Sequence, residues 1–409
     1  MTLEHTSLLP APPPDPAAIG GWVDRHLGDL ASDTSPASPR FRGGQTAADR
    51  ALAAFDVTGY AAQRNEVLPV SARGASGLSP YIRHGLLSLP AVWDAVAGGP
   101  SADVRKFRDE LLWQEYARHL YARLGRRTAG SLRADPPAAD AATPWPADMA
   151  CVAAMVGEME TDGWLVNQAR MWLASQWTVR SGADWEAGED RFFRHLLDGS
   201  RAANRLGWQW TVGAASQKAY GFSRHQVRRR APELCDGCSL RDACPIAEWP
   251  TEQRRRPVAP PTMLRHDPDP ARTGGPSEPL VSGDPDTVWI TAESLGDDDP
   301  ALAAHPDLPA VFVFDAALLR SLRLSRKRLV FLAEALADLA TRRDLEVRRG
   351  DPAIELAGRR LAATFTPVPG WRRISAGLDV AAAHPWPWLR APHAGPIGSY
   401  SAWRKGLDA

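Results

Sequence analysis

The chain is short of several things, and each shortage narrows what it can be. Lysine is nearly missing: four lysines stand against forty-four arginines in 409 residues. Basic and acidic residues balance at 48 each, so the formal net charge is zero. That excludes a binder working through a global positive field, and any nucleic-acid site must be a local basic patch. No run of eighteen apolar residues occurs, which excludes an ordinary membrane-spanning helix. The opening MTLEHTSLLPAPPPDPAA has neither a basic start nor an apolar stretch and does not read as a signal peptide. A cytoplasmic protein is the expectation. Cysteine is scarce, at four residues. In a reducing compartment these are metal ligands or catalytic groups more readily than disulfides.

What remains falls into segments. Residues 1–44 begin Pro-rich and are expected to be extended or disordered. A helical domain is expected over 45–253, where AADRALAAFDVTGYAAQRN, SADVRKFRDELLWQEYARHLYARLG and MACVAAMVGEMETDGWLVNQARMWLASQWTVRSG place apolar residues near the helical period. Residues 254–286 are dense in Pro, Gly and Asp, a composition that buries no core, and read as a linker. Over 287–409 short strand-like runs appear: TVWIT, PAVFVFD, LEVRRGD and LAATFTPV. The helix-like SRKRLVFLAEALADLATRR lies between the second and third. Strands alternating with a helix predict a small parallel α/β, Rossmann-like domain.

The densest chemistry lies in ADWEAGEDRFFRHLLDGSRAANRLGWQW, residues 183–210. It gathers a carboxylate (Asp198), an amide (Asn204) and the indoles of Trp185 and Trp208. Indoles in near contact can pass electrons, although most of the sixteen tryptophans must simply fill the core. Cys235, Cys238 and Cys244 lie in ELCDGCSLRDACPI, and Cys151 lies far back in ADMACV. A CxxC pair sets two thiolates on one tight turn, and a distant fourth would pin two helices through a metal. Such a set suits tetrahedral zinc or a [4Fe–4S] cluster. Arg224, Arg228, Arg229 and Arg230 form a local basic patch of the kind that phosphate contacts need.

The 183–210 stretch resembles the flavin-cradling core of the DNA photolyase and cryptochrome family, whose usual form is close to DWxxGExxFxxxLxDGDxAxNxGGWQW. The resemblance implies an all-helical FAD-binding domain. GASGLSPYIRHGLLS is similar to the family's phosphate-binding loop and helix start, which implies contacts from Ser76, Leu78 and Ser79, with Tyr60 and Phe107 as further flavin contacts. In TDGWLVNQARM it implies Asn167, Arg170 and Met171. Arg170 and Asp198 would flank the isoalloxazine, and Asn204 would face its N5. Ser200 stands where the family usually has a second aspartate, and Ala75 where a threonine is common. Trp208 and Trp185 match the inner two members of the family's electron relay, with Trp145 or Trp177 as candidates for the outer one.

FRDELLWQEYARHL resembles the family's substrate-pocket helix. It implies Glu110 and Trp113 on the lesion side, joined by Asn167, Met171 and Trp210. Gln168 stands where cyclobutane-dimer enzymes often carry arginine, and the histidines of the (6-4) class are missing. SQKAYGFSRHQVRRR and the cysteine flanks look like the bacterial iron–sulfur branch. They imply a [4Fe–4S] cluster on Cys151, Cys235, Cys238 and Cys244, with zinc the alternative, and DNA contacts from Lys218, Arg224, Arg228 and Arg229. The run from 287 resembles the antenna domain that normally opens a photolyase, so the two domains stand in swapped order; no residue set names an antenna chromophore. The activity implied is splitting of pyrimidine dimers in UV-damaged DNA by light-driven electron transfer from reduced FAD. The alternative is a cryptochrome-like blue-light photoreceptor without repair, which would act through a protein partner.

Overall fold

The computed structural model describes residues 7–137, 144–216, 218–251 and 255–407. They divide into two compact units. One comprises Met1–Phe55, Gly77–Ala95 and Asp267–Ala394; the other comprises Asp56–Ser76, Val96–His266 and Gly395–Ala409.

The first unit is built on a seven-stranded sheet. From edge to edge it runs Leu8–Leu9, Leu345–Gly350, Ala310–Asp315, Thr287–Ile290, Leu361–Thr364, Ala382–His384 and Leu280–Val281. The five inner strands pair in parallel. Thr287–Ile290 and Leu361–Thr364 are buried at every position. Parallel strands covered on both faces need such unbroken apolar runs. The helix Arg326–Ala340 connects two of the strands and is buried along most of its length.

The sheet is mixed rather than purely parallel, because both edge strands run antiparallel to their neighbours. A two-residue strand can complete an open edge from either direction, and no apolar pattern announces it. The N-terminal segment, expected to be extended or disordered, contains the helix Pro16–Leu27. Asp15 caps it by accepting the Ala17 N–H, and proline occupies its first position. Ile19, Trp22, Val23 and Leu27 share its buried face. The expected linker also carries structure. Asp269 caps the turn of helix Pro270–Gly274, and Leu280–Val281 pairs with Ala383 and Ala382. Two further stretches lie in the unit opposite to expectation: 77–95 with the sheet, and 395–409 with the helices.

The second unit is helical. Its longest helix, Ser101–Leu124, buries Val104, Phe107, Leu111, Tyr116 and Leu120. Ala150–Asp162 ends at Gly163, whose φ of 70° suits a residue without a side chain. Asn167–Ala174 widens into π-helical turns over Ser175–Arg180. Trp185–His195 is capped by Asp184, and Ala203–Val212 completes the group. Among the described residues no helix is long and apolar enough to cross a membrane.

Candidate functional site

The helical unit brings Arg170 and Asp198 together. Arg170 Nη1 donates to Asp198 Oδ1 at 3.1 Å and Nη2 to Oδ2 at 2.7 Å, while Nε donates to the Leu165 carbonyl at 3.0 Å. The carboxylate is 6% exposed. A two-pronged fork with its third nitrogen also engaged fixes the guanidinium plane. The Leu197 N–H donates to the Gly163 carbonyl at 2.7 Å, tying the segments that carry the pair.

Asn204 is buried beside Glu189, a residue the sequence reading did not single out, although it is the glutamate of the DWxxGE motif. Asn204 Nδ2 donates to Glu189 Oε1 at 2.7 Å and to its backbone carbonyl at 3.1 Å. Burial pushes the Glu189 carboxyl upward, and the guanidinium groups of Arg201 and Arg205 oppose that shift. The amide expected to face a flavin thus has its nitrogen committed to a carboxylate, which leaves its oxygen for another partner. Ser200 Oγ accepts the Ala203 N–H at 3.0 Å, so its hydroxyl serves the start of helix Ala203–Val212.

The indoles form a line. Trp208 lies 6.5 Å from Trp177 between ring centroids, and Trp177 lies 4.7 Å from Trp145. Both of the residues proposed as the outer relay member thus join Trp208. Trp177 is carried by the π-helical turns, and its Nε1 donates to the Asp184 carbonyl at 2.7 Å. Trp185 is buried on the helix that also holds Gly188. A Cβ on Gly188 would lie 2.3 Å from Trp208 Cη2 and 2.9 Å from Trp177 Cδ1. The glycine in this helix is what lets two indoles approach. Trp208 Nε1 is buried without a hydrogen-bond partner.

The residues expected on the lesion side are spread among several contacts. Glu110 pairs with Lys106 at 2.9 Å and with Arg64 at 3.5 Å. Tyr60 meets Phe107 edge-to-face at 4.9 Å, and burial together with the Glu110 charge raises its phenol. Asn167 Nδ2 contacts Met171 Sδ at 3.6 Å. Trp210 stands 44% exposed. Gln168 Nε2 donates to the Tyr220 hydroxyl at 2.9 Å. Trp113 is not an open stacking surface on both faces: Tyr400 lies parallel to it at 4.0 Å with an interplanar angle of 9°. The Tyr400 hydroxyl donates to Asp109 Oδ1 at 2.7 Å, and Trp403 Nε1 donates to His119 Nδ1 at 2.8 Å. These contacts hold the helix Tyr400–Lys405 to the helix Ser101–Leu124, a long-range pairing that local sequence pattern does not carry. Ser76 belongs to the helical unit, whereas Leu78 and Ser79 belong to the sheet unit. Leu78 is fully buried, and Ser79 opens the helix Ser79–Arg83.

Of the expected DNA contacts, Lys218, Arg228 and Arg229 are exposed. Arg224 is half-buried and spends Nη1 on the Arg241 carbonyl at 2.9 Å. All four cysteines are free thiols, with Cys151 and Cys235 buried. The Cys151 thiol is pushed up to about 12, first by burial and then by the charges of Cys235, Cys244 and Cys238. The four thus lie within electrostatic reach of one another. Among the described residues, however, no group of three or more His, Cys, Asp or Glu is arranged to hold a metal ion.

Residues 107–232 match the family described as the FAD binding domain of DNA photolyase. A deoxyribodipyrimidine photo-lyase of Thermus thermophilus is 34% identical over 235 residues, 52% of this chain and 52% of that protein. One from Synechococcus is 28% identical over 220 residues, 46% of this chain and 43% of that protein. The chain spans about half the length of the curated relatives it matches. A bacterial class III photolyase structure from Agrobacterium tumefaciens has 24% identity and a TM-score of 0.40 over 49% of each chain. The matched family and the named relatives support the likeness that the sequence motifs carry, over residues 107–232 of the helical unit.

Proposed function

We propose that this chain binds FAD in its helical unit and acts as a light-driven DNA photolyase that splits pyrimidine dimers. The observation that carries the reading is the two-pronged Arg170–Asp198 pair, built inside the segment similar to the FAD binding domain of DNA photolyase.

Bound there in its reduced form, FAD would supply the light-driven electron chemistry that dimer splitting needs. Arg170 and Asp198 set the orientation of the bound ring, and Asn204 offers its amide oxygen to that ring. Tyr60, Ser76 and Phe107, of the same unit, add further cofactor contacts. Trp208, with Trp185, Trp177 and Trp145, provides the indoles through which an electron would reach the oxidised flavin and reduce it; the electron lent to the dimer returns to the flavin directly. Trp210 offers an exposed face to a flipped base, and Glu110, Asn167 and Met171 present polar and soft contacts beside it. Lys218, Arg228 and Arg229 neutralise backbone phosphates, with Arg224 more firmly tied to the protein. Cys151, Cys235, Cys238 and Cys244 would hold a [4Fe–4S] cluster, zinc being the alternative, once drawn closer than the described arrangement sets them. Iron content and the visible spectrum of anaerobically purified protein decide between them. The sheet unit takes the place of the family's antenna domain, in swapped order.

One finding favours a cryptochrome-like photoreceptor as the second reading: Tyr400 already covers one face of Trp113. Repair of a dimer-containing oligonucleotide under blue light, with reductant, tests the choice. Wild-type protein is expected to repair it, and Glu110→Ala to slow repair on the order of a hundredfold, the scale of a lost general-acid contact. No repair of either lesion type would move the assignment to the photoreceptor.

A further inference from the structure

Two tryptophans stand far out of the core among the described residues: Trp210, 44% exposed, and Trp249, 54% exposed. Tyr220 lies between them. Its ring is 5.9 Å from Trp210 at 30° and 6.3 Å from Trp249 at 77°. Tyr220 and the backbone beside Trp249 are held in place. The Tyr220 N–H donates to the Thr211 carbonyl at 2.7 Å, and its hydroxyl accepts from Gln168 and donates to Gln226 Oε1 at 3.2 Å. Arg180 staples the backbone beside Trp249. Its Nη2 donates to the Glu248 carbonyl at 2.7 Å and also to that of Phe222, and its Nη1 donates to that of Pro245 at 3.3 Å. Gly221 lets Pro250 approach so closely that a Cβ there would lie 2.5 Å from Pro250 Cγ.

An indole that only filled space would be buried, and one left on a loose loop would not have its flanking backbone held by a guanidinium. An exposed flat ring on a fixed backbone offers a stacking face. Positive charge lies close by. Gln226 belongs to the helix Arg224–Arg230, whose Arg228 and Arg229 are exposed, and exposed Lys218 precedes Tyr220 by two residues. Glu248, exposed beside Trp249, would repel a phosphate. The ligand part suited to Trp249 is therefore an uncharged aromatic base, with the backbone running towards the arginines.

We propose that Trp249 is a second stacking site, taking an unpaired nucleobase of DNA next to the one met by Trp210. This deepens the DNA-repair reading above and rests on it. The test compares the full-length chain with Trp249→Ala and Trp249→Phe. Their affinities are measured for single-stranded oligothymidylate, for UV-irradiated duplex and for intact duplex at one salt concentration. Trp249→Ala is expected to bind oligothymidylate about tenfold more weakly, the scale of one lost base–aromatic stack. Trp249→Phe should recover most of that loss, and intact-duplex affinity should hold. Unchanged oligothymidylate affinity in Trp249→Ala, with irradiated duplex still bound by the wild type, overturns the stacking site alone. An equal loss on all three DNAs overturns it too, since stacking would not weaken intact-duplex binding. Failure of the wild type to bind any DNA removes the stacking site together with the repair reading.

Discussion

The two units fill their interiors differently. The sheet unit buries continuous apolar strands, and its fully buried carboxylate, Asp299, is well served: Thr364 Oγ1 donates to Oδ1 at 2.8 Å, and the N–H groups of Ala301 and Leu302 add 3.1 and 3.2 Å. The helical unit encloses indoles, a forked ion pair and the Glu189 cluster. Buried polar atoms without a partner occur in both. In the sheet unit Ser325 Oγ and Trp371 Nε1 lie far apart in sequence. In the helical unit Ser175 Oγ, Gln176 Oε1 and Thr178 Oγ1 fall in the π-helical turns, and Trp208 Nε1 and Gln209 Oε1 on the helix Ala203–Val212. The difference is one of placement: the helical unit gathers such atoms on two adjoining helical segments, and the sheet unit scatters them. Local rules yield most readily where a chain performs its function.

If that contrast holds, the largest effect should follow Arg170→Ala. It strands the nearly buried Asp198 carboxylate, and loss of one partner of a buried pair costs about 3–5 kcal/mol. Flavin retained after purification, read from the visible-to-protein absorbance ratio, is expected to fall at least about tenfold, a change of ~1.4 kcal/mol. Full retention would break the assignment of the helical interior to a cofactor. Gly188→Ala comes next. Its added methyl meets Trp208 and Trp177, and overpacking of this kind costs about 1–3 kcal/mol. A lower denaturation midpoint with altered near-UV circular dichroism is the expected result; a raised midpoint would show that the indoles are not tightly set.

The smallest effect lies in the sheet unit and depends on pH. Burial lifts the Asp299 carboxyl to about 6 from its ordinary 3.8. The folded chain then holds that proton more tightly than the unfolded chain does. The stability it contributes is fully present below the unfolded value and is lost as pH rises through the folded one. Asp299→Asn keeps the accepting oxygen and removes the ionisation. Relative to wild type it should gain roughly 1–2 kcal/mol between pH 5 and pH 8. Parallel denaturant titrations of the two proteins at both pH values measure it, and a constant difference would sink the claim.

How much could be read beforehand varies in the same way. Thr287–Ile290, Ala310–Asp315, Leu345–Gly350 and Leu361–Thr364 all fall inside the runs expected to be strands, and Arg326–Ala340 inside the expected helix. Burial on both faces writes itself into the composition of three of the strands, whereas Leu345–Gly350 buries only Val347. The edge strands Leu8–Leu9 and Leu280–Val281 were not legible, because two residues carry no period and their pairing is supplied by a distant partner. Helix Pro16–Leu27 was legible in principle. Asp15 before Pro16 is a start signal, and Ile19, Trp22, Val23 and Leu27 keep helical spacing, but the prolines ahead of them pointed to looseness. Arg170 and Asp198 followed from motif resemblance. Glu189 lay in the same motif and was passed over, since a glutamate on a helix ordinarily faces water. The Tyr400–Trp113 stack could not be read at all, as 287 residues separate its partners.

That stack has an outcome for biosynthesis. The piece that closes over Ser101–Leu124 is encoded downstream of every strand of the sheet. During translation the long helix emerges early and must wait, with Trp113 and Tyr116 uncapped, until Tyr400 has been made. A gene fragment stopping before Gly395 would yield helices with an oily seam open to chaperones and to neighbouring copies.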